Sequence, residues 1–265
     1  MSFPSRFSIR AFLGRTNAER RIALKEIAYR RRYLVPNLVT LGNMFCGYLA
    51  IMYAVTGRMS HAFWAVFIAL ILDGLDGRVA RKLNATSPFG MEFDSFSDLV
   101  SFGVAPAVMI YHWSMHSQAQ DFGIFISFIY LTCAASRLAR FNISTSNLHG
   151  FTGLPTPGAA GAAIALIHFI GTSNPDVTNN TTILWLSSAC MICLAVLMVS
   201  KISFFSIKTL NFRRPHILLQ FASASILALI WYNHRIGLFV LAFSYVLSGP
   251  VIVVFSKPKI RFSLR

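Results

Sequence analysis

Asp73-Gly-Leu-Asp76-Gly77-Arg-Val-Ala80-Arg81, then eight residues, then Gly90-Met-Glu-Phe-Asp94-Ser-Phe-Ser-Asp98: the reading of the whole chain turns on this run. It covers 26 of 265 residues, yet it holds four of the nine acidic side chains as aspartate, with Glu92 as a fifth. It begins at the end of an apolar segment, 62–72, of the kind that belongs to a membrane span. Carboxylates in such a place are costly to bury and point to a functional site with a named partner. Hard divalent cations are the natural partner, because they take carboxylate oxygens. Two cations clamped by carboxylates are a recurrent device for displacement at phosphorus.

The spacing supports this. At about 100° per residue, Asp73, Asp76, Gly77, Ala80 and Arg81 fall on one side of a helix, and Leu75, Arg78 and Lys82 on the other. Small residues therefore line the acidic face and leave room for a ligand. Pro88 and Gly90 interrupt the chain. Asp94 and Asp98 then sit one turn apart near the start of the next apolar helix, where the helix dipole tolerates negative charge. Two antiparallel helices each present two acids to one space.

Composition sets the surroundings. The chain is 55% apolar and 12% charged, too apolar for a water-soluble domain. Stretches without Asp, Glu, Lys or Arg predict an all-α, polytopic membrane helix bundle with about eight transmembrane helices, near 35–56, 60–83, 94–115, 121–143, 155–172, 181–201, 215–233 and 235–256. The fifth is short and rich in Ala and Gly. The expected organisation is a basic interfacial segment over 1–34, a transmembrane domain over 35–256 and a basic tail over 257–265. With the amino terminus inside, 22 of the 24 Lys and Arg fall on one side, and only Arg58 and Arg235 on the other. That asymmetry places both termini and the aspartate run at the cytoplasmic face of the inner membrane. It also explains the net charge of +15 without nucleic acid, and basic segments on that side attract anionic membrane lipids. The first 32 residues read as a cytoplasmic segment rather than a cleaved leader, with Thr16-Asn-Ala-Glu19 resembling a capping box ahead of a basic amphipathic helix. Cys190 and Cys193 form a CxxC inside an apolar helix and read as packing residues. No disulfide framework is implied.

Asp73-x2-Asp76-Gly77-x2-Ala80-Arg81-x8-Gly90-x3-Asp94-x3-Asp98 resembles the signature of the CDP-alcohol phosphatidyltransferases at every fixed position. Pro36-Asn37-x2-Thr40, which opens the first span, resembles the same family. Ser101-Phe-Gly-Val-Ala-Pro106-Ala, Ser136-Arg137-Leu-Ala-Arg140-Phe-Asn142 and Gly153-Leu-Pro-Thr-Pro157-Gly-Ala-Ala look like its integral-membrane phosphatidylserine synthase branch. The specific likeness covers roughly 33–170.

This resemblance implies a transfer of phosphatidyl from CDP-diacylglycerol to L-serine, with CMP released, and two divalent cations, Mg2+ or Mn2+. It implies that Asp73, Asp76 and Asp94 hold one cation, and Asp73, Asp94 and Asp98 the other. Gly77 and Ala80 would admit the cytidine diphosphate, and Arg81 would pair with its pyrophosphate. Asn37, Thr40 and Ser87 would complete the donor site, and Asp98 would act as general base on the serine hydroxyl. A homodimer is also implied. Another acceptor, such as glycerol 3-phosphate, inositol phosphate or choline, stays open on charge alone. The reading from a different class is a transporter whose intramembrane acids relay protons or cations.

Arg137 and Arg140 are the remaining cations of interest. They are expected either to touch the acceptor or to snorkel at a cytoplasmic helix end. Asn142 reads as a helix-end residue, and His61 and His112 as packing or interfacial residues. Gly158 and Gly161 read as a close-packing face between helices.

Overall fold

The structure, a computed structural model, describes residues 17–83, 85, 87–143, 153–171, 180–202, 204 and 231–255, with 17–33 and 252–255 described by their backbone alone. Among these residues the fold is all-helical. The helices are α1 (Asn17–Val55), α2 (Met59–Lys82), α3 (Pro88–Met115), α4 (Gln120–Ile143), α5 (Thr156–Ile170), α6 (Thr181–Val199) and α7 (His234–Phe255). Five are long and apolar enough to cross a membrane: the Leu34–Val55 part of α1, α3, α4, α6 and the His234–Val251 part of α7. α2 has the length but carries Asp73, Asp76, Arg78, Arg81 and Lys82 in its second half. Positions 215–230 of the expected span over 215–233, and the Thr16 capping position, lie outside the described residues.

Many large apolar side chains face outward, as suits a bundle surrounded by lipid, while the interior mixes small and polar residues with large apolar ones such as Phe63, Phe102, Met109 and Ile110. On α1, Leu34, Leu38, Leu41, Phe45, Tyr48 and Met52 are exposed, while Thr40, Asn43, Ala50 and Ala54 are buried. On α2, Trp64, Ile68, Ile71 and Leu75 face out, and Ala62, Ala65, Val66, Ala69 and Asp76 face in. α5, expected to be a weak span, is 15 residues long and lies in the core, with Ala159, Ala160, Ala162 and Ala163 fully buried. At 1.5 Å per residue it reaches only about 22 Å, less than a hydrocarbon core, so its neighbours surround it. Its alanines let those neighbours approach closely.

Two differences from the expected boundaries bear on the site. α1 is one continuous helix through Pro36 rather than a surface helix followed by a span. α3 starts at Pro88, six residues before the expected start at 94. Ser87 caps it, its Oγ accepting from the Gly90 amide at 3.0 Å, and Pro88 takes the first helical position, where a missing N–H costs nothing. Gly90 therefore belongs to the helix. It stays small because a Cβ there would crowd Ser87 Oγ at 3.1 Å and Asn37 Oδ1 at 3.3 Å.

Immediately after Asp98, α3 widens into a π-helical stretch, Leu99–Val104. Such stretches are rare and gather at functional sites. Here the Tyr130 hydroxyl of α4 donates to the Phe102 carbonyl at 3.1 Å, deep in the core. Ser97 and Ser101 donate in turn to the carbonyls of Thr40 and Asn43, at 3.1 and 3.0 Å. These bonds fasten α3 to α1 at the level of the acids.

Candidate active site

α2 brings Asp73 and Asp76, and α3 brings Asp94 and Asp98, to one place between them and α1. Carboxylate oxygens of Asp73, Asp76 and Asp94 all lie within 4.8 Å of one another. The Asp73 and Asp98 side chains interact with each other, as do those of Asp76 and Asp94. Asp76 is only 5% exposed, and the other three are half-buried.

Such a cluster carries strong mutual repulsion in a poorly solvated place, so it needs positive charge. The residues fit divalent cations on two observations. The oxygens converge from two helices, and Oδ1 of Asp94 is buried without a hydrogen-bond donor. An orphaned buried carboxylate oxygen in a well-packed protein calls for a partner.

α1 supplies the supporting groups. The Thr40 hydroxyl lies 3.2 Å from Asp76 Oδ2, and also 3.2 Å from the Pro36 carbonyl one turn back. The Asn43 amide donates to Asp98 Oδ1 at 3.5 Å. Asn43 is fully buried, and its own Oδ1 has no partner.

A cavity of about 170 Å³ opens beside the acids. Asn37, Thr40, Gly77, Ala80, Arg81 and Ser87 all line it, together with Asp76 and Asp94. The six residues assigned to the donor site by resemblance thus share one space with two of the acids. A Cβ at Gly77 would come no nearer to another group than 3.9 Å, at Arg81 Nη2, so this glycine leaves the acidic face open rather than relieving a clash.

The two arginines of α4 separate. Arg137 donates to the Thr156 hydroxyl at 2.8 Å, interacts electrostatically with Asp98 and Tyr245, and keeps its Nε buried without a partner. Arg140 donates to the Val199 carbonyl at 3.2 Å, at the carboxyl end of α6. A guanidinium there meets carbonyls that have no partner within their own helix. Asn142 bonds Ser95 at 3.0 Å and Glu92 at 3.4 Å, joining α4 to α3.

Asn43, Thr156 and Tyr245 were not singled out from the sequence as site residues. Asn43 had a signal, being a polar residue in an apolar span one turn beyond Thr40. Tyr245 had none, since it lies in the last helix. Its ring reaches the site region because Gly158 has no side chain: a Cβ there would lie 2.8 Å from Tyr245 Cε1. Gly161, by contrast, would meet Leu70 only at an ordinary 3.8 Å.

Comparison with known proteins gives a family and named relatives. The model of the family described as CDP-alcohol phosphatidyltransferase matches residues 33–249. The chain is 42% identical over 174 residues to the CDP-diacylglycerol–serine O-phosphatidyltransferase of Helicobacter pylori, covering 65% of this chain and 72% of that one. It is 40% identical to the protein of the same name from Bacillus subtilis, over 64% of this chain and 89% of that one. It is 37% identical to the archaetidylserine synthase of Methanothermobacter thermautotrophicus, over 64% of this chain and 69% of that one.

Proposed function

Because the chain belongs to the CDP-alcohol phosphatidyltransferase family, we propose that it is a membrane enzyme that moves the phosphatidyl group of CDP-diacylglycerol onto L-serine. The observation that carries the reading is one cavity lined by Asp76, Asp94 and the six donor-site residues, with Asp73 converging on the same two acids, in a chain similar to serine phosphatidyltransferases over about two thirds of its length.

Asp73, Asp76 and Asp94 would hold one Mg2+ or Mn2+, and Asp73, Asp94 and Asp98 a second, supplying positive charge beside the pyrophosphate. Arg81 grips the pyrophosphate through its planar fork of donors. Gly77 and Ala80 let the nucleotide lie close to α2, and Asn37, Thr40 and Ser87 orient it. The serine hydroxyl oxygen attacks the phosphorus that bears diacylglycerol. The bond from that phosphorus to the CMP oxygen breaks, and CMP leaves. Asp98 takes the hydroxyl proton, which a weak alcohol nucleophile needs to lose during attack. Thr40 holds the Asp76 carboxylate, and Asn43 holds Asp98, so both acids are oriented before substrate arrives.

Arg137 is the cation for the acceptor carboxylate. It is half-buried, it interacts electrostatically with Asp98, and its Nε is buried and unpartnered. Arg140 anchors the end of α6 in this reading. The site opens at the cytoplasmic face of the inner membrane, which the distribution of Lys and Arg supports. The enzyme acts as a homodimer, a property that mass measurement in detergent tests.

The deciding experiment is CMP release from CDP-diacylglycerol by the purified protein, with and without L-serine, over a panel of alcohols including glycerol 3-phosphate, inositol phosphate and choline. Serine-dependent release that is lost with a chelator and restored by Mg2+ or Mn2+ is expected. Release driven equally well by another acceptor would overturn the assignment of serine.

A further inference from the structure

Asp98 has two neighbours whose hydrogen-bonding capacity is left over. On one side, Asn43 of α1 is fully buried and turns its amide nitrogen to Asp98 Oδ1 at 3.5 Å. An ionised carboxylate only accepts, so the amide must present its N–H there and its carbonyl oxygen elsewhere. That oxygen is buried and unpartnered. From α4, Arg137 interacts electrostatically with Asp98, spends one terminal nitrogen on Thr156, and leaves its Nε buried and unpartnered. The residual groups are of opposite type: a neutral acceptor on Asn43 and a charged donor on Arg137.

Leaving a buried polar atom unpaired is costly, and native proteins rarely do so without a use for it. An amino acid with a hydroxyl side chain carries complementary groups. Its carboxylate suits Arg137, and its ammonium needs an acceptor. The aspartates are committed to the cations and to the proton of the hydroxyl in the function proposed above. The side-chain carbonyl oxygen of Asn43, buried and unpartnered on the residue that bonds Asp98, is such an acceptor.

We infer that Asn43 is a specificity-determining residue that accepts a hydrogen bond from the ammonium group of the acceptor, through the side-chain oxygen that its bond to Asp98 leaves unused. This rests on the proposed transfer to serine and adds to it. Arg137 alone would admit any hydroxy acid, and the pair demands a zwitterion. A site built to bond a polar group rejects an analogue that lacks it, because its own buried group is then stranded.

The test compares L-serine with 3-hydroxypropionate, which keeps the carboxylate and the hydroxyl but has no amino group. The wild-type enzyme should use serine with a kcat/KM at least a hundredfold higher. Equal use of the two acids by the wild type would overturn the inference without any variant. Asn43→Ala, or Asn43→Ser where the alanine variant folds poorly, should raise the KM for serine about tenfold or more. The KM for CDP-diacylglycerol should stay within about twofold. An unchanged serine KM with a lower kcat would reduce Asn43 to a support for Asp98. So would an equal rise in KM for both acids. A wild-type enzyme that releases no CMP with serine would instead refute the underlying transfer reaction, so the two failures are distinct.

Discussion

Gly47→Ala tests whether the acids depend on the close approach of α1 to α3. A Cβ added at Gly47 would lie 2.7 Å from Ser101 Cα and 3.0 Å from its Cβ, and nearer still to its hydroxyl. Carbon atoms in contact prefer about 3.5–4.0 Å, so the helices must part by roughly 1 Å at this level. Rotating the Ser101 side chain does not help, because its backbone is one of the clashing groups. Overpacking of this kind typically costs about 1–3 kcal/mol. For a chain of this size that lowers the melting temperature by roughly 2–12 °C. The consequence for function follows from Asn43, one turn earlier on α1. Its bond to Asp98 is already 3.5 Å long, and a further 1 Å breaks it. Melting in detergent and CMP release should therefore fall together. Gly161→Ala is the control, since a Cβ there meets Leu70 at an ordinary 3.8 Å. If Gly47→Ala melted with the wild type and released CMP at the wild-type rate, the α1–α3 clamp would have no part in positioning the acids.

Asp94→Asn should abolish activity while leaving insertion and melting intact; near-normal CMP release at saturating Mg2+ or Mn2+ would remove Asp94 from the cation site. Arg81→Lys keeps the charge but loses the bidentate fork, so the KM for CDP-diacylglycerol should rise with little change for serine, and an unchanged donor KM would place Arg81 outside the pyrophosphate contact. Arg137→Gln should raise the KM for serine by about tenfold to a hundredfold, whereas Arg140→Gln should lower the melting temperature and spare that KM; the opposite pattern would exchange their roles. In a background without the four native cysteines, Lys82→Cys should react with an impermeant thiol reagent only in inverted vesicles, and Arg58→Cys only in intact spheroplasts. Labelling of Lys82→Cys from outside would reverse the proposed topology.

Much of the chemistry could be read along the chain because it is encoded at helical spacing. Asp73 and Asp76, then Asp94 and Asp98, are three and four residues apart, which is one turn, so their sharing of a face follows from helix geometry alone. Five of the expected spans match helices long and apolar enough to cross a membrane, and they followed from the cost of placing charge in hydrocarbon, a property of composition that needs no tertiary contact. The family resemblance, rather than spacing or composition, grouped Asn37, Thr40, Gly77, Ala80, Arg81 and Ser87, and all six line one cavity.

Other features depend on how separate helices meet, and no local pattern carries that information. Arg137 and Arg140 have the spacing of a pair, yet one reaches Thr156 on α5 and the other the end of α6, because each finds a different neighbour. α5 looked marginal as a span, since length and hydropathy describe a helix against lipid and say nothing of one buried among other helices. The Tyr245 ring packs over Gly158, far away in sequence, because that residue has no side chain. Asn43 was visible as a polar residue in an apolar span, but its orphaned carbonyl beside Asp98 exists only once α1 and α3 are packed. One-turn spacing is a property of the backbone, which every helix shares; burial and unpaired polar atoms are properties of a particular packing, which arises only when the helices assemble.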